Sequence, residues 1–310
     1  MEEQNLPYLN RLYIYQKERF PVLMNIIAVL VFTFSAIAYS RLCRGVEGFV
    51  PWQDYAIGCF ATFTLFLLVR IFDEHKDQKE DAVYRSYLPV PRGVVTLREL
   101  RNIGIVVAMI QIAVIAVFQT PMLWLYLIVM VYLCLMGVEF FVPRFLKKRQ
   151  LLYITSHMVI IPLLDIYSSG IDWLLSGASP HWGLLFFFVV SYMNGLVVEF
   201  GRKMKPPGQE EEGVVSYTKM WGVKGAVAVW LGVLWATFGV ASGAAFYASF
   251  GWPLMITLIV FVGVCSIPGF AFLKNPTMKT AKNMEKISGL WTILMYLSLG
   301  AIPMLIQLLS

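Results

Sequence analysis

Long apolar runs alternate with short charged gaps along the whole chain. A helix rises about 1.5 Å per residue, so roughly 20 apolar residues cross a ~30 Å hydrocarbon layer. Nine runs meet that length: 21–40, 54–72, 102–119, 121–138, 151–168, 182–199, 223–248, 253–273 and 288–308. Little more than Pro121 separates the third from the fourth. Proline starts a helix well and continues one badly, so a tight helical hairpin is expected there. The seventh run carries Gly232, Gly239, Gly243, Ala244 and Ala245, small residues that let helices approach closely. No internal repeat or low-complexity tract interrupts the series. The pattern predicts an all-α polytopic membrane protein with nine transmembrane helices, forming one domain over residues 1–310.

Composition strengthens this reading. Of 310 residues, 58% are hydrophobic and only 14% charged, and the mean hydropathy is +0.68. Soluble proteins carry about 25% charged residues. A soluble globule, a disordered chain and a secreted disulfide scaffold are therefore excluded together. Cys43, Cys59, Cys134 and Cys265 are scattered, form no CxxC pair and read as small hydrophobes. The first twenty residues, with Glu2, Glu3, Arg11, Lys17, Glu18 and Arg19, are amphiphilic and lack a small-residue cleavage site. They are expected to stay attached ahead of the first span.

The formal net charge of +6 suggests a nucleic-acid partner only until the cations are located. Of the 25 lysines and arginines, 23 lie before span 1 or at and after the ends of spans 2, 4, 6 and 8, the other two being Arg41 and Arg44. These segments fall on one side of the bilayer. The positive-inside rule then predicts a cytoplasmic N-terminus and, after an odd number of spans, an outside C-terminus. The partner is the lipid bilayer, and no nucleic acid is expected.

The acids are more informative. Asp73, Glu74, Asp77, Glu80 and Asp81 crowd the end of span 2, and Asp73, Asp77 and Asp81 are spaced i, i+4, i+8. If the helix continues, these three carboxylates share one face. Like charges at that spacing destabilise a helix, and burial in lipid costs about 2.5–3.5 kcal/mol each. Such an array at a membrane boundary calls for a cation. Mg²⁺ fits, because it takes one or two carboxylates together with substrate phosphate oxygens. A second candidate region follows span 6, where Glu199 ends an apolar helix containing Asn194 and is followed by Arg202, Lys203 and Lys205. Both regions mix acids with bases, and a metal-bridged diphosphate needs both.

These residues resemble the UbiA family of intramembrane prenyltransferases. The family's N-D-x-x-D-x-x-x-D motif, at the end of its second helix, is similar to Asp73-Glu74-x-x-Asp77-x-x-x-Asp81. Pro89-Val-Pro91-Arg92-Gly93 looks like its R-P-x-x-x-G segment, with Leu88 in place of the arginine. The second motif, D-x-x-x-D, aligns with Glu199-x-x-x-Lys203, so its second acid is a lysine here. Gly213-Val-Val-Ser216-Tyr-Thr-Lys-Met-Trp-Gly222 resembles the tract after it. Of the family's tyrosine–lysine element after helix four, Lys147 and Lys148 are present, while Phe140 and Phe141 stand where the tyrosine is expected.

The resemblance implies nine helices around a central cavity open to lipid. It also implies Mg²⁺-dependent ionisation of an isoprenyl diphosphate at the cytoplasmic side, with transfer of the prenyl group to a small aromatic or lipidic acceptor. Asp73, Glu74, Asp77, Asp81 and Glu199 would hold the metal. Asp73, Asp77, Asp81 and Glu199 would be catalytic, and Arg92, Lys147, Arg202 and Lys203 would contact the diphosphate. The altered second motif keeps a terpene cyclase open, in which the prenyl chain attacks itself. A transporter fits less well, because no chain of ionisable groups crosses the spans. The glycine-rich signature of CDP-alcohol phosphotransferases is absent.

Overall fold

The computed structural model describes residues 3–309; Glu2 of the N-terminal stretch lies outside them. An amphiphilic helix, α1 (Tyr8–Arg19), precedes α2 (Val22–Arg44), α3 (Trp52–Lys76) and the short α4 (Gln78–Tyr84). Then come α5 (Leu97–Phe118), α6 (Leu123–Gly137), α7 (Pro143–Lys147), α8 (Gln150–Met158) and α9 (Ile160–Trp173). The chain ends with α10 (Leu184–Arg202), α11 (Tyr217–Tyr247), α12 (Gly251–Lys274), α13 (Met278–Tyr296) and α14 (Ile302–Leu309). Among the described residues there is no strand, and nine helices or runs of consecutive helical segments are long and apolar enough to span a bilayer. This is an integral membrane protein, all-α as its hydropathy predicts. The four cysteines are free.

Local chemistry sets the helix ends. The Thr96 hydroxyl accepts from the Glu99 N–H, while the Glu99 carboxylate accepts from the Thr96 N–H, a reciprocal cap that starts α5. Gly45, with φ of 65°, ends α2 in the left-handed conformation. Thr120-Pro121-Met122 forms a single 3₁₀ turn between α5 and α6, the expected tight hairpin. Span 5 breaks into α8 and α9 at Val159. Pro162 has no N–H to donate to the Met158 carbonyl and crowds it. Span 9 starts at Met278, ten residues before its apolar run, because its first turns are a polar helix carrying Lys279, Lys282 and Lys286. Hydropathy cannot register such an extension.

α10 is the hub of the bundle, packed by α9, α11, α13 and α2. Span 9 widens into a π-turn at Leu297–Ala301 between α13 and α14. There Gly300 lies against the Ser35 backbone of α2, so closely that a Cβ would overlap it. Gly300→Ala is expected to lower stability by about 1–3 kcal/mol, read from thermal unfolding in detergent. An unchanged midpoint would refute that contact. At the opposite end from the acidic array, Arg41 and Arg44 both pair with the buried Asp172, at 3.0 and 2.9 Å. The two cations outside the charge bias thus share one carboxylate of α9.

Candidate functional site

The acidic array bends where α3 gives way to α4. Asp77 has φ −87° and ψ 0°, yet its N–H still donates to the Asp73 carbonyl, and the Asp81 N–H to the Asp77 carbonyl. The carboxylates therefore keep the four-residue spacing but divide between two environments. Glu74 is 1% exposed and lies 2.7 Å from the Arg19 Nε of α1 and 3.0 Å from the Arg70 Nη2. Asp81 is equally buried, with Arg85 Nε 3.2 Å away, and neither of its carboxylate oxygens has a hydrogen bond. Burial holds the Asp81 carboxyl above its ordinary value, against the pull of Arg85.

Asp73 and Asp77 face the other way. Asp73 bonds Lys76 at 3.1 Å and is close enough to Arg202 to be felt electrostatically. Asp77 lines a polar cavity of about 220 Å³. Among the described residues, the charged groups on its wall are Asp77, Glu80 and Glu139, opposed by Arg85, Lys147 and Lys203. Burial pushes the Asp77 carboxyl up; Lys76 opposes this, and Asp73 and Asp81 add to it. Lys147 bonds Glu80 at 2.6 Å, which holds the lysine above its ordinary range. Glu139 reaches this wall through a turn in which Glu139, Phe140 and Phe141 all have φ between 50° and 61°. Three non-glycine residues in the left-handed region are costly and mark a constrained site.

Glu199, in the last turn of α10, is 5% exposed. Its carboxylate accepts from Arg202 Nε at 2.7 Å and from the Tyr217 hydroxyl at 3.2 Å, and Lys203 Nζ lies 2.6 Å away. The i+3 and i+4 spacing puts both cations beside the acid. Glu199 and Arg202 also line a second, largely apolar cavity of about 300 Å³. Its walls include Val29 and Phe32 of α2, Phe66 of α3, Ile161 of α9 and Tyr296 of α13. The polar and apolar cavities thus adjoin at the Glu199–Lys203 pair.

The structure gathers Asp77, Lys147 and Lys203 on one wall, with Asp73, Glu199 and Arg202 beside it. It does not bring Glu74 or Arg92 there. Arg92 is tied to Glu3 at 2.8 Å and Glu18 at 3.0 Å, and donates to the Tyr87 carbonyl. Glu74 and Arg92 both serve to fasten the N-terminal segment.

Two tyrosines escaped the sequence reading. Tyr153 of α8 lines the polar cavity beside Lys147, its ring 5.5 Å from Lys76 Nζ, so it sits where Phe140 and Phe141 leave no hydroxyl. Tyr217 donates to Glu199 from within the tract Gly213–Gly222, and membership of that tract is its one signal in the sequence. His157 stacks on Tyr153 and bonds the Tyr153 carbonyl through Nδ1, a helix-packing role.

No family model matches the chain, and no curated protein matches it. Solved structures do. A UbiA homolog from Aeropyrum pernix K1 aligns with a TM-score of 0.63 at 16% identity, covering 87% of this chain and 98% of that one. A structure of digeranylgeranylglyceryl phosphate synthase aligns with a TM-score of 0.57 at 15% identity, covering 95% of this chain and 99% of the other. At such identity the likeness is one of fold. The chain has the UbiA fold over nearly its whole length.

Proposed function

We propose that this chain is a UbiA-type intramembrane prenyltransferase, which ionises an isoprenyl diphosphate and passes the prenyl group to a small hydrophobic acceptor. One observation carries the reading: a charged cavity with acids and bases on its wall abuts an apolar, aromatic cavity, and Glu199, Arg202 and Lys203 stand at their junction. That pair of spaces suits a molecule with a polyanionic head and a hydrocarbon tail. The charge bias puts the polar end on the cytoplasmic side.

The residues fit Mg²⁺ in a limited way. Asp73, Glu74, Asp81 and Glu199 each carry a salt bridge, whereas Asp77 opens on the polar cavity with Asp73 one turn away. No group of three or more His, Cys, Asp or Glu among the described residues is placed to hold an ion unaided. One or two carboxylates, Asp77 and Asp73, with phosphate oxygens completing the shell, is the arrangement Mg²⁺ accepts. Bound there, the ion would supply positive charge to the departing diphosphate.

The chain's own cations do similar work. When the allylic C–O bond breaks, its electron pair leaves with the diphosphate, whose charge grows. Arg85, Lys147 and Lys203 face the space where that charge develops. Lys203, at the position of the family's second acid, brings a fixed positive charge rather than a metal ligand. The carbocation left behind would be shielded by the apolar cavity, whose wall includes the aromatic rings of Phe32, Phe66 and Tyr296.

The test is to incubate purified protein with Mg²⁺ and geranyl, farnesyl or geranylgeranyl diphosphate, with and without a panel of quinone precursors. Prenylated acceptor is the expected product. A hydrocarbon formed without acceptor would mark a cyclase instead. No diphosphate release under any condition would remove both readings.

A further inference from the structure

The apolar cavity contains a polar group that nothing in the protein satisfies. Asn194 lies on its wall, is 1% exposed, and neither the Nδ2 nor the Oδ1 atom has a hydrogen-bond partner. Both atoms are orphaned whichever way the amide is turned, so the finding does not depend on how the two were assigned. Buried amides are nearly always bonded, because each unpaired group keeps the cost of leaving water. Gly195 beside it packs on Met158 and Ile161, and the neighbouring wall is mainly Phe32, Phe66, Val198 and Ile293, while Asn25 and Thr292 on the same wall donate to the Pro21 and Ser288 carbonyls.

Position narrows what would satisfy it. Asn194 precedes Glu199 by five residues on α10, about 7.5 Å along the helix. It therefore lies inside the cavity, away from the charged junction. Three residues further in, Ser191 shares the same helix face and also lines the cavity, its Oγ 2.6 Å from the Tyr296 hydroxyl. The polar groups at this depth are the Asn194 amide, the Ser191 and Tyr296 hydroxyls, the Thr292 hydroxyl, which already donates to the Ser288 carbonyl, and behind them the buried Asp165 carboxyl, 3.5 Å from the Tyr296 hydroxyl. An anionic ligand group would meet no free cation there, since Arg202 stands at the junction paired with Glu199, and a pure hydrocarbon tail would leave the amide unpaired.

We infer that Asn194, with Ser191 and Tyr296 beyond it, forms a binding site for a neutral hydroxyl or carbonyl group on the acceptor. That the ligand is an acceptor rests on the prenyltransferase reading; the site itself does not. The chemical class it selects is an uncharged phenol, alcohol or quinone rather than a hydrocarbon or a carboxylate.

The test uses the full chain in detergent and a matched pair of probes, 4-propylphenol and propylbenzene, which differ by one hydroxyl. Binding is followed by tryptophan fluorescence for the wild type and for Asn194→Leu, which is close to isosteric and apolar. The wild type is expected to bind the phenol roughly tenfold more tightly than propylbenzene, the worth of about one good hydrogen bond. In Asn194→Leu that preference is expected to fall to about one, with propylbenzene bound at least as well as before. Equal binding of the two probes by the wild type, or an undiminished preference in Asn194→Leu, would overturn the proposal. Should the variant fold poorly, the wild-type ratio alone still decides. Neither arm uses a prenyl diphosphate, so failure of the diphosphate-release assay would remove the prenyltransferase reading and leave this result standing.

Discussion

Asp77→Asn is expected to cut Mg²⁺-dependent release of diphosphate from geranylgeranyl diphosphate by about 10²–10³-fold, the usual cost of losing one group aimed at developing charge. The change keeps shape and removes only the anion. Among the acids of the first motif, Asp77 is the one that lines the polar cavity, while the others are committed to salt bridges. Burial sets its carboxyl above the ordinary value, helped by Asp73 and Asp81 and opposed by Lys76. The folded state then binds this proton more tightly than the unfolded chain does. Ionised at neutral pH, Asp77 destabilises the protein, and the cost fades as the pH falls through the raised value. Asp77→Asn should accordingly be no less stable than the wild type at pH 7, and slightly more so, the difference vanishing in acid. Wild-type activity should fall along the same acid limb as the carboxylate is lost. Full diphosphate release by Asp77→Asn would sink the proposed site. So would a large loss of stability, which would mean that Asp77 holds the fold together.

The division of labour among these acids could not be read from the sequence, and the reason is physical. Helix spacing fixes which side chains share a face, but not what packs on that face. Glu74 is one residue from Asp73, yet its partner Arg19 lies 55 positions away on α1. Arg92 is likewise claimed by Glu18, 74 positions distant. The spans were legible because hydropathy averages over about 20 residues, and burial in lipid demands that average irrespective of tertiary contacts. The break at Val159 has its cause in Pro162, inside a run whose hydropathy gives one unbroken span over 151–168, and the left-handed turn at Glu139–Phe141 carries no glycine to announce it. Tyr153 supplies a hydroxyl beside Lys147 from the following helix, a substitution in space that no linear motif records. Asn194 stood out as a carboxamide in an apolar helix, but only coordinates reveal that nothing answers it.

Glu74 provides the contrasting case. Glu74→Gln is expected to destabilise the protein by about 3–5 kcal/mol while leaving diphosphate release per folded molecule near the wild-type value. The carboxylate is 1% exposed and faces two guanidiniums, Arg19 and Arg70, whose side chains are only 14% and 20% exposed. Removing the anion leaves two half-buried cations with no counter-charge, and that residue of unpaired charge dominates over any lost attraction. It also unfastens α1, since Arg19 is its last residue and its other anchors, Arg11 to Glu99 and Glu18 to Arg92, are more exposed. The triple change Arg19→Met, Arg70→Met and Glu74→Leu should recover most of the loss, because well-packed apolar groups replace a buried ion cluster at little net cost. Thermal unfolding in detergent reads both variants. If Glu74→Gln unfolds with the wild type but releases no diphosphate, the roles assigned to Glu74 and Asp77 are reversed. The acid that faces α1 would then be the one the substrate meets.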